Sequence, residues 1–236
     1  MLMYTREQIA GAIDHTLLKT TATARDIEVT CREARDLGLY AVCIPPCYVA
    51  LAARELAGAG VRIATVIAFP NGYAGTEVKA FEAKRAVLDG ADEVDMVINL
   101  GAVKSQDKEY LRRDVSGVVE AAQGAGRTRG LGHVIVKVII ETFALTEDEK
   151  RLACVAAKEA GADFVKTSTG FGGGGATEAD VRLMREAVGP SMGVKASGGV
   201  RSLEQVEKML DAGATRIGAS AGAAIMRECG ERVRPS

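Results

Sequence analysis

The chain has 236 residues, of which 47% are hydrophobic and 26% are charged, and its formal net charge is -1. This length fits one α/β barrel, which needs roughly 200 to 250 residues. A charge so close to zero gives no reason to expect a nucleic acid or a membrane surface as a partner.

The N-terminal segment MLMYTREQIAG lacks the cationic and then apolar layout of a secretory signal. No stretch of the chain approaches the roughly 18 apolar residues that span a bilayer. The five cysteines are scattered without a CxxC pair, which is typical of reduced thiols, and two histidines are too few for a His-rich metal site. We therefore expect a cytoplasmic protein without a metal, which begins with a short helix at about residues 5–11.

Eight short apolar runs follow along the chain and alternate with amphipathic helical segments such as TEVKAFEAKRAVLDG and SLEQVEKMLDAG. The runs are IDHT, YAVCI, RIATVIAF, EVDMVIN, HVIVKVII, DFVKTST, GVKAS and TRIGAS. Eight strand-then-helix units predict a parallel sheet closed into a (β/α)8 TIM barrel, a single domain over residues 1–236. A doubly wound open α/β sheet is the alternative, and the polar tail RECGERVRPS is expected to be loose at its end.

Most predicted strands carry a polar or small residue at a fixed distance from the glycine that precedes the strand. A step of five residues from that glycine reaches, in chain order, Thr16, Cys43, Thr65, Asp95, Lys137 and Lys166, and Lys195 comes six residues after Gly189. Residues at one depth in a barrel wall recur at the same step from each strand entrance. We therefore expect this set to point inward, in one band at the end where barrels keep their active sites.

The three lysines of this band are the candidate reactive groups. Lys137, Lys166 and Lys195 are 29 residues apart each time (166 − 137 and 195 − 166), which places them on neighbouring strands. Mutual repulsion favours deprotonation of one of them, and a neutral buried lysine can form a Schiff base with a carbonyl. Asp95 is the carboxylate best placed to keep another lysine charged and to relay protons through water. An inert buried ion-pair network is the alternative.

Glycines crowd the segments after the last predicted strands. They are Gly170, Gly172, Gly173, Gly174 and Gly175, then Gly198, Gly199 and Gly218. Glycine lets backbone N–H groups approach an anion, and the helix N-termini that follow add favourable dipoles. The late loops therefore predict a phosphate site.

Six segments, found in order through nearly the whole chain, resemble the deoxyribose-phosphate aldolase family: IDHTLLK, VCIPPCYV, GADEVDMVIN, KVIIET, FVKTSTGF and VKASGGVR. The resemblance implies a class I aldolase with neither metal nor cofactor, which reversibly cleaves 2-deoxy-D-ribose 5-phosphate to D-glyceraldehyde 3-phosphate and acetaldehyde. Its partners would be that sugar phosphate, aldehydes and further copies of itself, in a homodimer or homotetramer.

The family motifs imply roles for individual residues. Lys166 of VKTST resembles the Schiff-base lysine, while Asp95 of EVDMV and Lys195 of VKASGG resemble the proton-transfer pair. A pocket would be lined by Asp14, Thr16, Cys43, Lys137 and Thr167, and a phosphate held at Gly170, Gly198, Gly199, Gly218 and Ser220. Phe171 and Ala221 stand where some members have a lysine and a second serine, so we expect the phosphate to meet less positive charge.

Two other functions are open at this point. A different Schiff-base or phosphate-binding barrel enzyme would act on another sugar phosphate, and a catalytically silent barrel would bind its ligand without a covalent adduct. The presence of Lys166, Asp95 and Lys195 argues against a silent barrel. Cys43 and Cys47 enclose two prolines and do not match a redox motif, so we expect small buried residues there.

Overall fold

The computed structural model describes residues 4–232, with side chains described up to residue 230. Eight parallel strands form a closed barrel in chain order, and β8 pairs with β1. This confirms the predicted TIM barrel and excludes the open sheet. The strands are β1 (Ile13–Thr16), β2 (Ala41–Ile44), β3 (Arg62–Ile67), β4 (Glu93–Val97), β5 (Ile135–Ile139), β6 (Phe164–Lys166), β7 (Gly193–Ser197) and β8 (Arg216–Ala219).

Helices surround the barrel and connect successive strands. They are α1 (Arg6–Ala10), α2 (Ala24–Leu37), α3 (Val49–Glu55), α4 (Thr76–Asp89), α5 (Leu100–Lys104), α6 (Lys108–Thr128), α7 (Glu147–Glu159), α8 (Glu178–Val188), α9 (Leu203–Asp211) and α10 (Gly222–Arg232). The sequence predicted that the tail, residues 227–236, is loose at its end. Residues 227–232 are helical, and residues 233–236 lie outside the described residues. Among the described helices, none has the length and apolar character needed to cross a bilayer.

The two faces of each strand have opposite characters. Outward residues such as Val94 and Met96 of β4, or Val136 and Val138 of β5, pack with the helices in the main hydrophobic core. Because strand side chains alternate, the residues between them must point into the barrel. Two of these inward residues, Asp95 and Lys137, lie opposite each other in the β4–β5 ladder.

The predicted inward position of Thr65 is wrong. Thr65 lies on the same face of β3 as Ile63 and Ile67, which pack in the outer core, and its hydroxyl donates to the carbonyl of Ile44 at 2.8 Å. Ala64 and Val66 face inward instead, beside Cys43. The count failed because Gly60 stands two residues before β3, whereas Gly90, Gly132 and Gly161 each stand three residues before their strands, so a step of five from Gly60 passes the inward position by one.

A buried ion pair outside the barrel joins α4 to α6. Lys79 Nζ donates to Asp114 Oδ2 at 2.6 Å and to the carbonyl of Val97, at the end of β4, at 3.0 Å. The Thr76 hydroxyl donates to the other oxygen of Asp114 at 3.0 Å. Burial lowers the pKa of Lys79, and the bond to Asp114 opposes that shift. The pair therefore links α4 and α6 to the C-terminal end of β4.

We expect Lys79→Met to lower the free energy of unfolding by about 3–5 kcal/mol, because Asp114 would be left as an unpaired buried charge. The double variant Lys79→Met/Asp114→Leu should be clearly more stable than the single variant, since it buries no charge. Urea unfolding of the wild type and both variants measures the two differences. A double variant that is less stable than the single one would contradict this account.

Candidate active site

The barrel interior contains seven acidic and basic side chains, each at most 5% exposed: Asp14, Glu93, Asp95, Lys137, Lys166, Lys195 and Arg216. Strand alternation forces them inward, because their neighbours along each strand pack in the outer core. Buried charges persist only when paired, so their contacts decide what each group can do.

Asp95 lies at the centre of the group. Its Oδ1 accepts a hydrogen bond from Lys137 Nζ at 2.6 Å, and its Oδ2 accepts one from Lys166 Nζ and one from Lys195 Nζ, each at 2.8 Å. Burial alone would raise the pKa of the Asp95 carboxyl, but the charges of the three lysines outweigh burial and hold this pKa well below its usual range. The carboxylate is therefore ionised at neutral pH.

Two further carboxylates lie beside Asp95. Lys195 Nζ also donates to Asp14 Oδ2, and Lys137 Nζ lies 2.6 Å from Glu93 Oε2. Arg216 Nη1 donates to both Asp14 and Glu93 at 3.0 Å, and its guanidinium lies 3.6 Å from the centre of the Tyr40 ring. Burial would lower the pKa of Lys195 and of Lys137, but the surrounding carboxylates raise both.

These contacts close a ring in which acids and bases alternate, which we call the charge ring. In order around it lie Asp95, Lys137, Glu93, Arg216, Asp14 and Lys195, which returns to Asp95. Lys166 is outside the charge ring and is attached through Asp95 alone among the described side chains. The charge ring contains three acidic and three basic groups, so its charges balance without Lys166.

The structure places the other predicted pocket residues nearby but in different roles. Cys43 is fully buried beside Ala64 and Val66, and burial raises the pKa of its thiol, which favours the protonated form. The partly buried Thr16 lies opposite Cys43 in the β1–β2 ladder. The Thr167 hydroxyl is engaged with the backbone N–H and carbonyl of Ser197, at 3.0 Å each, so it ties β6 to β7.

The late glycines form a crowded junction of backbone above β6 and β7. A Cβ on Gly175 would lie 2.3 Å from the carbonyl oxygen of Gly198, and one on Gly170 would lie 4.0 Å from the Gly198 Cα. Gly199 has φ +81° with open space where a side chain would be. Gly218 faces the interior, where a Cβ would lie 3.0 Å from Lys195 Cε. Ser220 follows β8 on the exposed side.

Glu141 organises the start of the β6–α8 loop, a role that the sequence did not predict. Its backbone is left-handed, with φ 53°, and its Oε2 accepts hydrogen bonds from both the N–H and the hydroxyl of Thr169. Thr169 Oγ1 in turn accepts from the N–H of Phe171 at 3.0 Å. The Phe171 ring packs edge-on against Phe69, with 5.3 Å between centroids, so two loops meet at the mouth of the barrel.

Glu93 and Arg216 are the charge-ring members that the sequence reasoning missed. The signal was strand alternation: Glu93 stands two residues before Asp95, and Arg216 two residues before Gly218, so each shares the inward face of its strand. Asp14 was reached only through the family resemblance, although it stands two residues before Thr16 by the same rule.

We expect Asp14→Asn to destabilise the fold at neutral pH, and we expect this destabilisation to be smaller in acid. Burial raises the pKa of Asp14, but the neighbouring cations, Lys195 above all, lower it from 3.8 to about 2. Ionised Asp14 thus stabilises the fold above about pH 4, and the stabilisation is lost as the pH falls toward 2. The shift corresponds to roughly 2 kcal/mol.

Urea unfolding of wild type and Asp14→Asn at neutral pH and at about pH 3 measures this loss. The difference in free energy of unfolding between the two proteins should narrow at the lower pH. Asp36→Asn, at an exposed ion pair on α2, is the control and should change stability little at either pH. A difference for Asp14→Asn that is independent of pH would contradict the assignment.

Comparisons with known proteins agree with this geometry. Residues 8–229 match the model of the DeoC/LacD family aldolase. The chain is 55% identical over 221 residues to deoxyribose-phosphate aldolase 1 of Bacillus licheniformis, an alignment that covers 94% of this chain and 96% of the relative. It is 56% identical over 223 residues to the deoxyribose-phosphate aldolase of Thermococcus kodakarensis, with coverage of 94% and 96%.

The fold is shared with solved structures as well. The tetrameric deoxyribose phosphate aldolase from Aeropyrum pernix matches with a TM-score of 0.87 at 35% identity, covering 97% of this chain and 94% of that one. The family match extends over nearly the whole chain, and the relatives are covered almost from end to end. On this evidence, the chain belongs to the DeoC/LacD family of aldolases.

Proposed function

We propose that this chain is a deoxyribose-phosphate aldolase, a class I lyase that reversibly cleaves 2-deoxy-D-ribose 5-phosphate to D-glyceraldehyde 3-phosphate and acetaldehyde. The observation that carries the proposal is the position of Lys166, attached by one hydrogen bond to a charge ring that is balanced without it. A lysine so placed can act as a nucleophile while its neighbours remain ionised.

The first step joins enzyme and substrate. Lys166 Nζ, in its neutral form, attacks the C1 aldehyde carbon of the open-chain sugar, and the carbinolamine loses water to give a protonated imine. The protonated imine withdraws electrons from C2 more strongly than the free aldehyde does. Covalent catalysis of this kind avoids a free carbanion that would be far too unstable.

Cleavage then follows from the imine. A base removes the proton of the C3 hydroxyl, the C2–C3 bond breaks, and its electron pair moves to C2 and the imine nitrogen as an enamine. Carbons 3 to 5 leave as glyceraldehyde 3-phosphate. Asp95 and Lys195 meet at one carboxylate oxygen, and a water bound there can return a proton to C2. Hydrolysis of the resulting imine releases acetaldehyde and restores Lys166.

The remaining site residues bind the substrate and keep the charged groups ionised. Asp14 and Lys137 belong to the charge ring and keep Lys195 and Asp95 ionised. Thr16, Cys43 and Thr167 line the pocket around the reacting carbons. The phosphate is bound by backbone N–H groups at Gly170, Gly198, Gly199 and Gly218 with the hydroxyl of Ser220, and the uncharged Phe171 adds no positive charge there.

We also infer that the enzyme works in the cytoplasm as a homo-oligomer. Cys31, Cys43 and Cys154 are buried free thiols, which suits a reducing compartment. The tetrameric Aeropyrum pernix relative supports self-association of this barrel.

We expect acetaldehyde and borohydride together to add a reduced two-carbon group to Lys166. Intact mass spectrometry and peptide mapping detect the group and its position. Lys166→Met should form no adduct and lose several powers of ten in turnover, because the nucleophile is gone. Lys104→Met, at an exposed lysine, is the control and should behave as wild type. Turnover by Lys166→Met near the wild-type value, or an adduct spread over surface lysines, would refute the proposal.

We expect Gly199→Ala to raise KM for 2-deoxyribose 5-phosphate by about tenfold, the size of one lost charge-assisted hydrogen bond. KM for unphosphorylated 2-deoxyribose should change much less. Gly58→Ala is the matched control, because Gly58 has a similar φ of +75°, equally open surroundings, and a place before β3, at the opposite end of the barrel. Equal effects of Gly199→Ala on both sugars would mean that Gly199 does not contact the phosphate.

A further inference from the structure

His15 is a buried histidine on the outer face of β1, and the proposed chemistry does not use it. It shares that face with Ile13, which packs in the outer core, while Asp14 between them points inward to the charge ring. In the barrel wall His15 stands opposite Ala219, the last residue of β8. The chain continues from there through Ser220 into α10, so His15 borders a turn that carries one of the proposed phosphate contacts.

The His15 ring is held between α2 and the start of α10. Its Nε2 lies 2.7 Å from Oε2 of Glu33 on α2. On the α10 side the ring meets Gly222, where a Cβ would lie 2.6 Å from Nδ1 and 3.4 Å from both Cγ and Cε1. A side chain at position 222 would therefore displace either the ring or the turn. The ring thus sets how closely the first residue of α10 approaches β1.

The bond to Glu33 determines which nitrogen of the ring carries the proton. A carboxylate only accepts, so Nε2 donates, and Nδ1 of the neutral ring is left as an acceptor. Nδ1 is buried and has no hydrogen-bond partner among the described residues. This acceptor lies beside the first turn of α10, where free N–H groups give the helix a positive end. Glu33 thereby directs the lone pair of Nδ1 toward the start of α10.

We propose that His15 is a positioning residue for phosphate recognition, an inference that rests on the proposed function. Anchored to α2 by Glu33, the ring fixes Gly222 and with it the turn that begins at Ser220. In that turn the Ser220 hydroxyl and the first N–H groups of α10 would meet the phosphate, because a helix N-terminus binds anions. His15 acts through Gly222 and needs no contact with the substrate.

Two observations favour this role over simple core packing. His15, Glu33 and Ser220 line one cavity, so the anchored ring and the proposed phosphate ligand are neighbours. An apolar side chain would fill the space without burying an unpaired acceptor, which costs free energy. What histidine adds is a ring whose orientation is fixed by a hydrogen bond at its far end. Orientation of the turn, more than burial of apolar surface, therefore accounts for this residue.

The first test compares two sugars. His15→Ala should raise KM for 2-deoxyribose 5-phosphate by about tenfold, the effect of one weakened charge-assisted hydrogen bond, and change kcat and KM for unphosphorylated 2-deoxyribose much less. His133→Ala is the matched control, because His133 also pairs with a carboxylate, Asp163, but precedes β5 at the opposite end of the barrel. It should leave both sugars unaffected. Equal losses on both sugars in His15→Ala would overturn the proposal.

The second test asks whether His15 acts through Gly222. Gly222→Ala should also raise KM for the phosphorylated sugar, because its Cβ would collide with the ring. In a His15→Ala background the ring is gone, so Gly222→Ala should raise this KM by less than about twofold. Factors that simply multiply in the double variant would show that the two positions act independently and would overturn the proposal.

The third test changes the anchor. Glu33→Gln should keep a KM near that of the wild type, because its amide oxygen still accepts from Nε2, whereas Glu33→Leu should raise KM for the phosphorylated sugar. Both variants remove the same negative charge, so their difference reports the hydrogen bond. Glu33 is partly exposed, and these variants test the role even if His15→Ala does not fold. Equal KM values for Glu33→Gln and Glu33→Leu would overturn the proposal.

The wild type separates this inference from the proposed function. A folded wild type that cleaves neither sugar would refute the proposed function, and the role of His15 with it. A wild type that cleaves 2-deoxyribose 5-phosphate, together with variants that lose equally on both sugars, would refute the role of His15 alone. Circular dichroism checks the fold of each variant.

Discussion

The charge ring is the constraint on which this structure depends. Seven charged side chains lie in the interior of one barrel. The cost of burying these charges is tolerated only because each carboxylate of the ring contacts at least two cations. A buried charge that loses its partner is strongly destabilising, so no member can be removed without affecting the others. The same side chains therefore determine both the stability of the fold and the charge of the site.

Lys166 owes its special position to that balance. The three other cations each contact at least two carboxylates, whereas Lys166 contacts one, from outside the ring. Lys166 serves one carboxylate, Asp95, which keeps Lys137 and Lys195 as partners without it, whereas each cation of the ring serves at least two carboxylates. This difference in connectivity, more than proximity alone, distinguishes Lys166 from Lys137 and Lys195.

The loops at the mouth of the barrel are held by contacts of their own. Glu141 accepts both hydrogen bonds that Thr169 offers, from a left-handed backbone conformation that is costly for a non-glycine residue. Strain of this kind persists only where the surroundings over-determine it, and here it sets the start of the glycine-rich loop. Outside the barrel, the buried pair of Lys79 and Asp114 joins α4 to α6.

The sequence by itself determined the eight strands and the spacing of the three lysines, and it favoured a barrel over an open sheet, because hydrophobic periodicity and strand spacing are local properties of the chain. It also located Lys166, Asp95 and Lys195 through motifs that lie in single segments. It failed at Thr65, where the reference glycine lies one residue nearer to its strand than Gly90 or Gly161 does, and it passed over Glu93 and Arg216. Only the tertiary structure decided that six charges close into a ring, because closure depends on the register between strands and on the tilt of a closed barrel. Those relations join residues up to 202 positions apart, such as Asp14 and Arg216, and no local pattern in the chain encodes them.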